Sequence, residues 1–250
     1  MESIEASRGF LKAGPWGEWA KLERDERKGI PPPPLQEPCP EGAKLIDLIA
    51  PENLTVGTMP LREAIHRRRS RRKFTHESLS LEELSFLLWA IQGVREVVRD
   101  GVATRRTVPS GGARHAFETY LLVNRVAGME SALYRYLPLD HKLCFLRADP
   151  DLPQKVAEAC CQQKFVGEGA VVFIWTAIPY RMEWRYGILS PKVIAIDAGH
   201  VCQNLYLASE SIGAGACAIG AYHQEKMDSF LGVDGKDEFV IYAAPVGKIE

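Results

Sequence analysis

The sequence predicts a mixed α+β fold. Two helical patterns, one from Ser80 to Gly93 and one from about Lys192 to Ser211, are interspersed with short strand patterns. They do not follow the regular strand–helix–strand rhythm of a doubly wound parallel sheet. With 250 residues, 46% hydrophobic and 25% charged, the chain can bury a substantial core. One globular domain is expected over 59–250, preceded by an extended proline-rich segment over 1–58.

That segment comes first. Gly29 to Gly42 reads GIPPPPLQEPCPEG, and proline removes backbone donors and fixes φ, so this stretch forms neither a helix nor an interior strand. It should run extended over a surface, its own or a partner subunit's. Regular structure is expected from Pro60. Ser80-Leu81-Glu82-Glu83 is a capping box, after which Leu84, Leu87, Leu88 and Ile91 recur at helical spacing until Gly93. Strands are expected over Phe117–Val126, Ala132–Leu137, Lys142–Arg147, Ala170–Ile178, Cys217–Ala221 and Phe239–Ala244, and a helix over Leu152–Gln163.

Composition excludes several classes of function. Net charge is −1, whereas domains that bind duplex nucleic acid tend to be basic across a face. No run reaches the roughly eighteen apolar residues of a membrane span. MESIEASRGF lacks the basic start and apolar middle of a signal peptide, so a cytoplasmic location is expected. Cys39, Cys144, Cys160, Cys161, Cys202 and Cys217 show neither metal-ligand spacing nor a disulfide framework. No metal site is expected.

Against this balanced background, Arg67, Arg68, Arg69, Arg71 and Arg72 crowd one point, interrupted by Ser70. They repel one another unless an anion neutralises them. Phosphate fits, because guanidinium forks bind it bidentately and a serine hydroxyl adds a donor. The competing reading is a solvated cluster paired to Glu77, Glu82 and Glu83.

Three other segments stand out. Val108-Pro109-Ser110-Gly111-Gly112 precedes a strand, and its glycines allow backbone to approach a flat or anionic ligand; a plain turn is the alternative. Gly213 to Gly220 is rich in small residues, but it leaves a helix and enters a strand, the reverse of a dinucleotide fingerprint. In Asp197 to Leu205, helical spacing puts His200 and Asn204 on one face, which reads as a packing network, with the floor of a site as the alternative.

In this order, Arg-Arg-Ser-x-Arg, Pro-Ser-Gly-Gly, Gly-His-x-x-Gln-Asn-Leu and Ala-Ile-Gly-Ala resemble the flavin-dependent nitroreductase family over Leu61–Lys248. The branch they resemble is the SagB-type dehydrogenases related to azoline oxidases. The resemblance implies a nitroreductase-like mixed sheet flanked by helices, an entwined homodimer, and FMN at the subunit interface with NAD(P)H as electron donor.

By position, the resemblance assigns FMN contacts to Arg68, Arg69, Ser70 and Arg72. It assigns Pro109, Ser110 and Gly111 to a segment reaching the partner's flavin, Ile219 and Gly220 to the flavin edge, and Lys248 to the phosphate. Azoline oxidases of this branch carry a Lys-Tyr pair where this chain has Arg185-Tyr186. Arginine stays protonated and cannot act as a general base. Tyr186, Arg185 and Arg114 are therefore expected substrate contacts, with Tyr186 and Arg185 the catalytic candidates.

The implied activity is transfer of hydride or electrons to a small electrophilic acceptor, a nitro compound or quinone. A SagB-type dehydrogenase of peptide heterocycles and a flavin-binding module without turnover are the alternatives.

Overall fold

A computed structural model describes residues 4–250. The elements in chain order are α1 (Ile4–Gly9), β1 (Leu45–Asp47), α2 (Leu61–Arg67), α3 (Leu81–Gln92), β2 (Val94–Val98), β3 (Ala103–Arg106), β4 (Phe117–Val123), β5 (Ala132–Leu137), β6 (Lys142–Arg147), α4 (Leu152–Ala159), α5 (Lys164–Glu168), β7 (Val171–Ala177), α6 (Tyr180–Tyr186), α7 (Ser190–Ser211), β8 (Ala214–Ala216), α8 (Gln224–Leu231) and β9 (Phe239–Lys248). Seven strands form one antiparallel sheet in the order β1-β6-β5-β4-β7-β9-β8, while β2 and β3 make a separate hairpin.

The central strands explain the layering. Every residue of β4 and β7 is buried, so both faces of the sheet are covered. Leu121, Val123, Phe173 and Trp175 point to a core shared with Leu84, Leu87 and Leu88 of α3 and Val201 and Leu205 of α7. The alternate residues Tyr120, Leu122, Val172 and Ile174 meet Val156 of α4, Val166 of α5 and Met227 of α8. Period-two alternation thus feeds two cores, one on each face. The Ser80 capping box forms as the sequence predicts, with reciprocal bonds between Ser80 and Glu83.

Several expectations need correction. Regular structure does not wait for Pro60, since β1 pairs with β6 and so extends the sheet with a strand from the proline-rich segment. That segment lies on its own subunit's body: Arg106 donates to the Leu35 carbonyl and Arg135 to those of Glu37 and Pro38. The helix expected over Leu152–Gln163 breaks after Ala159, where Cys161 and Gln162 take positive φ. The strand expected at Cys217–Ala221 is instead Ala214–Ala216, because pairing to Val246–Lys248 sets its place.

Cysteine spacing also misses a disulfide. Cys39 and Cys144 are joined, with Cα atoms 6.5 Å apart and a sequence separation of 105. The register of β1 on β6, which sets Leu45 opposite Cys144, carries the proline-rich segment past that strand.

Candidate functional site

α2 ends as the arginines begin. Arg68 leaves the helix in extended conformation, and the loop then lies along the edge of the sheet: the Arg71 N–H donates to the Ala216 carbonyl and the Thr75 N–H to that of Lys248, each at 2.9 Å. Glycine makes this approach possible. A Cβ on Gly215 would stand 2.4 Å from Arg71 Cγ, and one on Gly247 2.9 Å from Phe74 Cβ. Ser70 Oγ lies 2.9 Å from the Tyr206 hydroxyl, which accepts the Ala218 N–H at 2.8 Å. One phenol from α7 therefore ties the arginine loop to the 214–219 segment.

The charges divide. Arg67 pairs with Glu63 at 3.1 Å, and Arg71 lies 3.6 Å from the buried Glu210. Arg68, Arg69 and Arg72 have no carboxylate partner among the described residues. Arg68 and Arg72 instead lie over the rings of Tyr206 and Phe165. Two of the three carboxylates that a solvated-cluster reading offers are committed elsewhere: Glu82 accepts from Thr55, and Glu83 caps α3 and pairs with Lys248, while Glu77 is exposed with no ion pair among the described residues. Clefts of about 430 and 540 Å³ open along the loop, sharing Arg69 and Arg71. Arg69, Ser70 and Arg72 line the first cleft and Arg68 and Arg69 the second, donors of the kind that bind phosphate.

The other residues expected around a flavin fall into two groups. Ile219 is buried and bridges Ala243 through paired backbone bonds, and the exposed Gly220 follows it beside Tyr242. Lys248 also lies at this end, but its ammonium donates to Glu83 and to the Ile212 carbonyl. The second group lies at the opposite end of α7. The Gly111 N–H donates to the Asp197 carboxylate, and Ser110 Oγ accepts the His115 N–H. A Cβ on Gly111 would meet Val193 Cγ1 at 2.5 Å, and one on Gly112, where φ is +61°, would meet the Tyr186 hydroxyl at 2.5 Å. The loop is wedged between α6 and α7, and burial lifts Asp197 above the ordinary carboxylate range.

Tyr186 and Arg185 border this second group. Trp16 meets the Tyr186 ring edge-on at 5.8 Å, and Arg185 Nη1 donates to Glu26 of the N-terminal segment. Arg185 is a paired cation. Arg114, expected as a substrate contact, is buried, with its guanidinium donating to the carbonyls of Arg181 and Val102 and packed over Trp184. It has a structural role. Asn204 donates to the Ala90 carbonyl, the packing contact its spacing suggests, whereas the His200 side chain is 45% exposed.

No hydrogen bond or ion pair among the described residues joins the two ends. Nine helical positions separate Asp197 from Tyr206, about 13 Å along the axis. Ala195, Ile196, Gly199, His200 and Gln203 form an exposed stripe on α7. The sequence does not mark Tyr206, Glu210, Arg24 or Glu26. Tyr206 directly follows the Asp197–Leu205 segment, and its position four residues before Glu210 on one helix face is the signal available.

The sheet, its flanking helices and the arginine loop at its edge place the chain among proteins of nitroreductase-like fold. A solved nitroreductase-like protein from Anabaena variabilis superposes with a TM-score of 0.69 at 25% identity, covering 84% of this chain and 42% of that one. The chain belongs to the Nitroreductase family, whose sequence pattern matches residues 65–248. A Methanocaldococcus jannaschii protein that carries a provisional nitroreductase name is 31% identical over 188 residues, 75% of this chain and 90% of that protein. The trifolitoxin-processing protein TfxB of Rhizobium leguminosarum is 29% identical over 166 residues, 62% of this chain. The chain spans only 44% of TfxB.

Proposed function

We propose that this oxidoreductase binds FMN noncovalently, as a homodimer, and passes electrons from NAD(P)H to a small electrophilic acceptor such as a quinone or nitro compound. One observation carries the reading: Arg68, Arg69 and Arg72, which flank Ser70 in sequence, have no carboxylate partner among the described residues. Three unneutralised guanidinium groups on a chain of net charge −1 call for an anionic ligand. Arg68, Arg69, Arg72 and Ser70 would hold the phosphate and ribityl chain, and the backbone at Ile219 and Gly220 would lie along the ring.

The bound flavin supplies the two-electron chemistry. The protein positions it and supplies charge. Because Pro109, Ser110 and Gly111 sit at the far end of α7 from the arginines, one chain does not assemble both groups. Two chains packed through the exposed α7 stripe would bring one chain's glycine loop to the other's arginines.

The likeness to TfxB supports a second reading, a dehydrogenase acting on a peptide. Arg185, in the place of that branch's lysine, weighs against proton abstraction.

The test is the absorbance spectrum of the purified protein, followed by NAD(P)H addition. A flavin spectrum that bleaches supports the oxidoreductase. Colour that persists supports a flavin store, and colourless protein that takes up no FMN overturns the reading. Arg72→Ala should weaken FMN retention about ten- to a hundredfold, the loss of a charge-assisted phosphate contact.

A further inference from the structure

Gly14 lets the N-terminal segment close on the α6–α7 corner. After α1 the Leu11 N–H donates to the Arg8 carbonyl and the Lys12 N–H to that of Gly9, so the chain turns there. A Cβ on Gly14 would stand 2.5 Å from Leu189 Cδ2, and the segment thus meets the corner where only glycine fits. Between the two lies a cleft of about 290 Å³, walled by Phe10, Trp16, Leu189 and Val193. Its apolar walls suit a planar aromatic ligand.

The charge in this cleft has one sign. Lys12 and Lys192 line it, and no Asp or Glu among the described residues does. Lys192 is held in place by donating to the Leu11 carbonyl, which occupies one of its three N–H groups. Neither lysine has a carboxylate partner among the described residues; the lysines that do are Lys28, Lys142, Lys155 and Lys248. Two ammonium groups beside an apolar wall favour a ligand that is apolar at one end and anionic at the other.

The cleft adjoins the glycine loop, since Trp16 meets the Tyr186 ring edge-on and Val193 fills the space beside Gly111. We infer that this cleft is the acceptor's binding site and selects planar aromatic acceptors that carry a carboxylate or sulfonate. The inference rests on the function proposed above, in which the glycine loop reaches the partner's flavin. In that reaction NAD(P)H, one proton and a quinone give NAD(P)⁺ and the hydroquinone. A charged substituent on the ring takes no part, so the cleft decides it.

The experiment uses the full-length protein as purified and measures Kd by calorimetry for naphthalene sulfonate and for naphthol, which has the same rings without the charge. The sulfonate should bind more tightly at low ionic strength. Lys12→Gln and Lys192→Gln should each lower that preference about fivefold, the worth of one charge contact at ~4 Å in water. Added salt should shrink it in the wild type. Lys12 is exposed, so Lys12→Gln keeps the test decisive if Lys192→Gln fails to fold. In turnover, the variants should raise KM for naphthoquinone sulfonate more than for naphthoquinone. A Kd ratio unmoved in the folded variants overturns the inference, because the sulfonate then sits elsewhere, as on the arginine loop. A shifted Kd ratio with an unmoved KM ratio overturns the acceptor role. A shifted Kd ratio with no turnover of either quinone overturns the proposed reaction and leaves the anion-binding cleft standing.

Discussion

The Tyr206 hydroxyl lies 2.9 Å from Ser70 Oγ while accepting the Ala218 N–H at 2.8 Å. Two segments far apart in sequence, one with the unpaired arginines and one with the small-residue run, share this phenol. Tyr206 is buried against the core on α7, so its ring does not move to suit the loop. The loop is fitted to the helix.

Removing that hydroxyl should loosen both segments at once. Tyr206→Phe keeps the ring under Arg68 and deletes two hydrogen bonds, each worth about 0.5–1.5 kcal/mol. FMN retention should fall roughly five- to fiftyfold, and Tm by several degrees. Equal retention under limiting flavin would show that Ser70 and Ala218 are placed by other contacts.

What the sequence makes legible is what local physics fixes. The Ser80 capping box and the apolar runs of β4 and β7 are local signals, and each element forms. The β2–β3 hairpin is less legible because the charged tip Arg99-Asp100-Gly101 follows only a short half-exposed strand. Long-range facts are not in local patterns: Cys39 finds Cys144, Arg71 selects the Ala216 carbonyl, and Glu26 finds Arg185. Gly215 shows the difference. Its smallness is visible, but only the fold reveals that the space is taken by the Arg71 stem.

His115 should make stability fall in acid. Burial, with Arg106 nearby, lowers its pKa to about 2, and its Nε2 lies 3.0 Å from the Thr104 carbonyl. Its unfolded value is near 6.5, so below that pH the unfolded chain binds the extra proton. This contribution is fully present above about pH 6.5 and is lost as pH falls toward 2, by at most about 1.4 kcal/mol per unit. Urea midpoints from pH 7 to 4 should show the slope, and His115→Asn should flatten it. An unchanged slope in the variant would assign the acid lability to other groups.

Assembly provides the next expectation. Ile196 is 50% exposed near the N-terminal end of the α7 stripe, where a second copy would bury it. Light scattering on the flavin-loaded protein should give twice 27.9 kDa, with an interface larger than about 1,600 Å². Ile196→Glu should yield monomers that lose FMN, because each site needs both chains. A monomer that retains flavin would refute the shared site.

The chemistry should follow from what α6 lacks. Arg185 is bonded to Glu26, and a guanidinium is no general base, so nothing in that position takes a proton from a ring carbon. Tyr186 presents its phenol to Gly112 and its ring edge to Trp16, which suits it to holding a planar acceptor. Hydride transfer from a reduced flavin to a quinone needs position more than it needs a protein acid. Tyr186→Phe should therefore lower quinone turnover less than about tenfold, and the protein should leave thiazoline peptides unchanged. Mass spectrometry of a thiazoline peptide incubated aerobically with the flavin-loaded protein checks this. Loss of two hydrogens at a rate matching quinone reduction would show that another group supplies the base and that the peptide dehydrogenase reading is the better one.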